Sequence, residues 1–368
     1  MVESVGFKQL ISILEPRYEM PSRPYLSDKI VPDLYQKTRE SVIHELKQAQ
    51  YVSVTTDGWT SSATESYITI TVHYLVDWQI RSKVLQTRQL IDAHNAENIA
   101  DVMKSVMDEW KIAKPSITIP ITTDNAQNVV KSVQIVGFWP HIICFAHCLN
   151  LATQKGLDIH VVSRLLGRVK RIVTFFHASS TATKVLIDKQ RALDLPKHKL
   201  VQDVKTRWNS SYDMLERYLE QQHAIFAAMM SKDVKTNLKD VVTLSDNDVT
   251  QAEELIQILK PLKTTTTIMC DEHTNTVSMI SPLKEMMVRA LTTLDTDSEL
   301  IKQAKETIRK DIKSRYADEK VIKVLELSCA LDPRFRTLLY HTDAEKVDVY
   351  FALIQEILKF EQNIQVFT

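Results

Sequence analysis

Glycine is scarce in this chain: five are spread over 368 residues, and none follows Gly167. The tight turns of a β-rich fold lean on glycine, so the glycine-free stretch points to a helical second half. Cysteine is also sparse. Cys144, Cys148, Cys270 and Cys329 are too few and too scattered for a disulfide framework, and they fit a reducing compartment. Long apolar runs are missing, with no stretch approaching about 18 apolar residues. The segment from Met1 to Phe7 has no apolar signal core. These absences predict a soluble intracellular protein with no membrane partner. Net charge is missing as well, because 46 basic residues cancel 46 acidic ones. Overall charge therefore gives no argument for a nucleic-acid partner. No nuclear-import cluster stands out, since the best candidate, Gly167-Arg168-Val169-Lys170-Arg171, is broken by Val169. Neither a solenoid-length repeat nor a low-complexity tract is present.

Apolar residues make up 44% of the chain, enough for sizeable cores, and the length suits two or three domains. Charge is uneven locally. Between His160 and Glu220 there are 12 Lys/Arg against 6 Asp/Glu, a local excess of +6. Such a segment could face phosphates or be a solvated helix face.

The pattern along the chain predicts three regions. Residues 1–50 read as a helical preface: Phe7, Leu10, Ile11 and Leu14 fall at helical spacing before Pro16. Pro21, Pro24 and Pro32 punctuate a loop, and a second helix covers 32–48 with Leu34, Val42, Ile43 and Leu46 as its apolar positions. Residues 51–156 read as a sheet with helices. Strands are expected at 52–57, 66–76, 79–88, 117–123 and 141–144, with a turn at Val76-Asp77-Trp78. Helices are expected at 95–110, capped by Asn95, and at 125–135. The order β-β-β-α-β-α-β is an α/β pattern. Residues 157–368 read as a helical domain, with helical patterns over 146–228, 248–260, 277–294, 298–316, 318–329 and 344–360. The polar span 230–248 reads as a loop.

Two β-branched runs end alike. One is Val52-Ser53-Val54-Thr55-Thr56-Asp57-Gly58-Trp59, and the other is Ile119-Pro120-Ile121-Thr122-Thr123-Asp124-Asn125-Ala126. Neighbouring strands lie about 4.8 Å apart, so carboxylates at their ends can reach one metal. Mg²⁺ prefers oxygen ligands, and pairs of such ions cut phosphodiester bonds. An aspartate before a turn also commonly serves the turn itself. The strand order with Asp on strands one and four resembles an RNase H-like nuclease core, which favours the metal reading of Asp57 and Asp124.

Two further motifs stand out. In Cys144-Phe145-Ala146-His147-Cys148-Leu149-Asn150, Cys-x-x-His is half a zinc site. Its only echo, Cys270 and His273, lies far downstream, so a structural role is favoured and no zinc is expected. In Thr206-Arg207-Trp208-Asn209, Arg beside Trp within the basic segment could give a phosphate contact and a stacking face. Alternatively, Trp208 packs in a helical core with Arg207 on the surface.

Five motifs then occur in a known order. They are Thr55-Thr56-Asp57-Gly58-Trp59-Thr60-Ser61, Thr122-Thr123-Asp124-Asn125-Ala126, Cys144-x-x-His147-Cys148-x-Asn150-Leu151, Thr206-Arg207-Trp208-Asn209-Ser210 and Leu331-Asp332-Pro333-Arg334-Phe335. In this the chain resembles hAT-superfamily transposases, and more specifically the BED-type zinc-finger proteins derived from them. The resemblance implies an RNase H-like core interrupted by a large helical insertion. It implies that Asp57 and Asp124 are the first two members of a DDE metal triad holding Mg²⁺. It implies that Trp208, with Arg207 beside it, stabilises a flipped base, and that Cys144 and His147 lie near the active site as DNA-contacting residues.

Departures shape the expected function. The family's catalytic Glu belongs to a carboxy-terminal Ser-Glu-Arg-x-Phe-Ser type element, and Thr368 comes before any such element. The expectation is a core incomplete at its C-terminus, lacking the third carboxylate, the last core helix and the family's dimerisation segment. Homo-oligomerisation is left open. Paired Cys and His of an amino-terminal BED finger are absent too. A lost metal ligand should abolish strand cleavage. The sequence thus points to a nuclear DNA-associated protein, a transcription regulator without transposase activity. One alternative is a fragment of an active DDE transposase using two Mg²⁺ ions. Another is a helical protein-interaction scaffold, with room for a SUMO-ligase-like role.

Overall fold

Ser66–Val76 alternates strictly: Ile68, Ile70, Val72 and Tyr74 are buried, while the residues between them are not. One face of this strand must therefore meet a core, and the architecture of the first part of the chain follows from that. The computed structural model describes residues 2–91, 93–112, 118–204, 207–235, 241–271 and 276–367. It is a mixed α/β structure that divides into two units, residues 1–142 and 143–368.

The first unit opens with α1 (Val5–Leu14), α2 (Arg23–Tyr25), a π-helical turn (Leu26–Ile30) and α3 (Val31–Gln48). The prolines do not make a loop of 23–30 as the sequence suggested. Ser22 caps α2 by accepting from Tyr25 N–H, and prolines stand in the first two positions of both α2 and α3. A missing N–H costs nothing there. Of the four apolar positions expected on α3, Val42 and Leu46 are buried, whereas Leu34 is exposed.

Strands β1 (Val52–Thr60), β2 (Ser66–Val76) and β3 (Gln79–Gln89) form an antiparallel meander. Asp77 and Trp78 both take positive φ at the β2–β3 turn, as a two-residue hairpin turn requires. Helix α4 (Ala96–Glu109) starts at Asn95, whose side chain accepts from Asn98 N–H as expected. Strand β4 is short (Ile121–Thr123), and residues 113–117, where the expected strand begins, lie outside the described residues. Helix α5 (Gln127–Val136) ends at Gly137, whose φ of 83° is the left-handed conformation a helix stop favours. Strand β5 (His141–Ile143) completes the sheet, whose order is β3-β2-β1-β4-β5 with β1 and β4 parallel. One core cluster joins the buried sheet face (Val54, Ile70, Val72, Ile121) to α3, α4 and α5 through Leu46, Ile99, Met103 and Val133.

Beyond Ile143 the described residues hold only helices and turns. They are α6 (Phe145–Leu157), α7 (His160–Ala178), α8 (Ser180–Ala192), α9 (Trp208–Met229), α10 (Lys232–Lys235), α11 (Asp246–Met269), α12 (Ile280–Ala290), α13 (Glu299–Ser314), α14 (Glu319–Leu331) and α15 (Asp343–Phe367). The expected loop at 230–248 contains α10, and α11 already begins at Asp246. Ser245 and Asp248 form a reciprocal cap there. Residues 236–240 lie outside the described residues. Gly156 lets α6 approach α13 closely: a Cβ there would meet Ile308 Cγ1 at 2.5 Å.

Candidate functional site

The β1–β4 register places the two aspartates level. Thr55 pairs with Thr122 across parallel strands, and two residues further along each chain stand Asp57 and Asp124. Their surroundings differ. Asp57 is not at the end of its strand, because the β1–β2 ladder continues to Thr60 opposite Ser66. A stacked Trp59–Tyr67 cross-strand pair (centroids 4.6 Å apart, planes at 17°) holds this extension, and Trp59 Nε1 donates to Thr69 Oγ1 at 3.2 Å. Asp57 alternates with buried Val54 and Thr56, so it lies on the sheet face away from α4 and α5, and it is exposed. Asp124 follows β4 directly and is half-buried. Its Oδ1 accepts from Ala126 N–H at 3.1 Å, the turn-serving bond that short polar side chains make before helices. Thr123 Oγ1 donates to the Asp124 carbonyl at 2.7 Å and lies 2.9 Å from His141 Nε2.

Among the described residues no group of three or more His, Cys, Asp or Glu is arranged to hold a metal ion. The donor set, within β1 and just after β4, is two carboxylates, and that of Asp124 also accepts from the turn at Ala126. Two hard oxygen donors suit Mg²⁺, which commonly binds one or two carboxylates and completes its shell with water and substrate phosphates. The pair fits that role and does not form an all-protein cage.

His73 shares the Asp57 face, and the sequence gave no reason to single it out. Its Nε2 lies 2.9 Å from Thr55 Oγ1 and its Nδ1 lies 2.8 Å from Ser82 Oγ. Burial pushes its pKa below the ordinary imidazole value, so near neutral pH it is an uncharged hydrogen-bonding group. The alternation of Thr69, Thr71 and His73 in β2 was the only available signal.

The remaining sequence candidates belong to the second unit. Cys144 stands at the N-cap position of α6 without a side-chain capping bond, and Cys148 is buried one turn on. Burial pushes the Cys148 thiol up, with Arg315 near its sulfur working against that shift. A thiol held protonated is a poor metal ligand and a poor nucleophile. His147 is half-buried, and His273 lies outside the described residues. Tyr316 donates its hydroxyl to the Ile143 carbonyl and packs near Phe145, which ties the start of α6 into the helical unit.

Trp208 is 2% exposed and cannot present a ring face to a base in this conformation. Arg207 precedes α9 and is exposed. The structure does link the two motifs: Asn150 Oδ1 accepts from Trp208 N–H at 3.3 Å. Asp203, which sequence reasoning passed over, organises the same corner. It accepts from Ser210 at 3.1 Å, Ser211 at 2.7 Å and Lys170 at 2.9 Å. Burial would raise its pKa, but the bonds from Ser211 and Lys170 outweigh that and hold it below the ordinary value.

The basic segment is partly neutralised. Arg168 pairs with Asp248, Lys170 with Asp203 and Arg217 with Glu220. Arg164, Arg171, Lys184 and Arg207 are exposed. No described helix is long and apolar enough to cross a membrane.

Comparison with known proteins gives two family matches. Residues 55–137 match the ZBED1 RNase-like domain, and residues 142–258 match the ZBED1 RNase-like helical domain. Human zinc finger BED domain-containing protein 4 is 26% identical over 97% of this chain and 31% of its own length. A putative AC transposase from Zea mays is 24% identical over 98% of this chain and 47% of its length. A putative transcriptional regulator, tpeD, from Talaromyces stipitatus is 26% identical over 73% of this chain and 35% of its length. The chain thus spans between about a third and a half of the length of these relatives.

Proposed function

Because the chain belongs to the hAT-transposase-derived BED family, we propose that it is a nuclear DNA-associated protein, a transcription regulator built on an inherited RNase H-like core. The observation that carries this reading is the parallel pairing of Thr55 with Thr122, each two residues before Asp57 and Asp124 respectively. In the proposal this pair holds Mg²⁺ against the phosphates of a bound strand, and the exposed basic residues of the helical unit, Arg207 among them, contact backbone phosphate. Bound Mg²⁺ would supply positive charge at a phosphate. Asp57 and Asp124 would position the ion, and Thr123 would hold the Asp124 backbone. The role proposed for the pair is to position the ion at a bound phosphate, and strand cleavage is read separately in the test.

The test is binding of the chain to hairpin and duplex DNA with and without Mg²⁺, beside the double variant Asp57→Ala/Asp124→Ala. The reading expects Mg²⁺ to tighten binding of the wild type and not of the variant, with no cut product. Equal response of both proteins to Mg²⁺ would remove the aspartate pair from the account. Cut product from the wild type alone would move the chain to the active transposase class.

One observation favours a second reading, a helical protein-interaction scaffold. Val347, Phe351, Ile354 and Leu358 recur at helical spacing on α15 and are all exposed. Such a stripe suits a partner helix.

A further inference from the structure

Helix α15 is apolar on opposite sides. One side is already used: Val349 is buried in a cluster with Cys329 of α14 and with Leu338, and Ala352 and Leu353 are half-buried. At 3.6 residues per turn, the other side gathers Val347, Tyr350, Phe351, Ile354, Ile357 and Leu358. These six are between 37% and 65% exposed. A helix apolar on both sides belongs between two neighbours. Helix α14 supplies one of them, and the exposed stripe lacks the other.

The stripe itself narrows what the second neighbour is. Val347 and Ile354 fall at a positions of successive heptads, Tyr350 and Ile357 at d, and Phe351 and Leu358 at e, which is the spacing of a helix-to-helix seam. No charged residue interrupts it. Glu345 and Asp348 border a crevice toward α14, and Glu356 is paired with Lys359. A seam without charge gives no hold to a partner selected by charge, and it meets no like-charge repulsion in a copy of itself. A two-fold pair uses the same patch from both molecules, so the buried area doubles. At their exposures the six side chains offer on the order of 600 Å² per chain, and two copies would cover about 1,200 Å², where specific interfaces begin.

We propose that α15 is a self-association surface, on which a second copy of this chain packs its own α15 stripe about a two-fold axis. The proposal rests on the scaffold reading above and names its partner as the chain itself. It does not depend on the DNA reading. If both hold, a pair offers the exposed basic side chains of two helical units to one duplex.

Sedimentation equilibrium of the full chain tests this. The wild type should pass from monomer to dimer with a midpoint on the order of micromolar, as suits an interface at the small end of the range. Ile354→Glu and Phe351→Glu each change an exposed residue of the isolated chain, but in the pair they bury an unpaired charge. Each should weaken association at least about 100-fold. Circular dichroism at 222 nm and the urea midpoint should stay at their wild-type values. Ile13→Glu on α1, at a residue 77% exposed, should dimerise like the wild type. A wild type still monomeric at about 100 μM would overturn the proposal. So would a dimer that survives both α15 variants, or one that Ile13→Glu breaks. If the monomeric wild type takes up the apolar dye ANS and Ile354→Glu does not, the scaffold reading stands with a different partner. If neither takes up the dye, both readings fall.

Discussion

Replacing Trp208 separates a packing role from a stacking role. The indole is 2% exposed at the first turn of α9, its backbone N–H is held by Asn150, and its ring N–H is buried without a partner. Trp208→Ala should therefore cost about 3–5 kcal/mol, the usual price of emptying a buried aromatic site. Trp208→Phe should cost far less. It loses contact area, but it also removes an unpaired donor whose burial costs about 1–3 kcal/mol, so the net change should be within about 1 kcal/mol. Urea unfolding followed by circular dichroism at 222 nm reads the second unit, which holds most of the helices. A Trp208→Ala protein within about 1 kcal/mol of wild type would refute the packing account, because changes that small belong to surface positions. If such a protein also bound DNA tenfold more weakly, the ring would be a DNA-contacting residue in solution.

Two glycines in the helical unit should respond in opposite directions to alanine. Gly156→Ala forces Ile308, which is fully buried, to move and should destabilise by about 1–3 kcal/mol. Gly167→Ala meets nothing within 4 Å and should stabilise by about 0.5–1 kcal/mol, both read from urea midpoints. Asp203 has a folded pKa below its ordinary 3.8, so its contribution is complete above that value and is lost as pH falls through the lower folded value. Asp203→Asn should lower stability at pH 7 and flatten the decline below about pH 4, where the carboxylate begins to protonate. A parallel decline in both proteins would show that Asp203 is not held by Ser211 and Lys170. Finally, Asn95→Ala should cost about 1 kcal/mol by removing the cap of α4, measured as faster hydrogen exchange at the Asn98 amide.

Local chemistry was readable in the sequence, and long-range geometry was not. The Asn95 cap, the Asp77-Trp78 turn and the alternation in β2 each follow from residues within a few positions of one another. The level placement of Asp57 and Asp124 depends on the pairing of Thr55 with Thr122, which no local pattern encodes. The repeated Thr-Thr-Asp was the only trace of it. Pro24 and Pro32 misled because proline both breaks helices and starts them, and only the neighbouring cap tells which. Arg207 and Trp208 read equally well as a DNA contact or as surface and core. Packing against the helical unit decided the position of the ring.

The most direct test of the central claim is duplex DNA binding by fluorescence anisotropy across a salt series. The account predicts log K falling linearly with log salt, with a slope of about −3 or steeper for several phosphate contacts. Replacing Arg164, Arg171 or Arg207 by alanine should each reduce that slope by about one. Absence of binding at about 50 mM salt, or binding indifferent to salt, would contradict the claim that this chain associates with DNA through its phosphates.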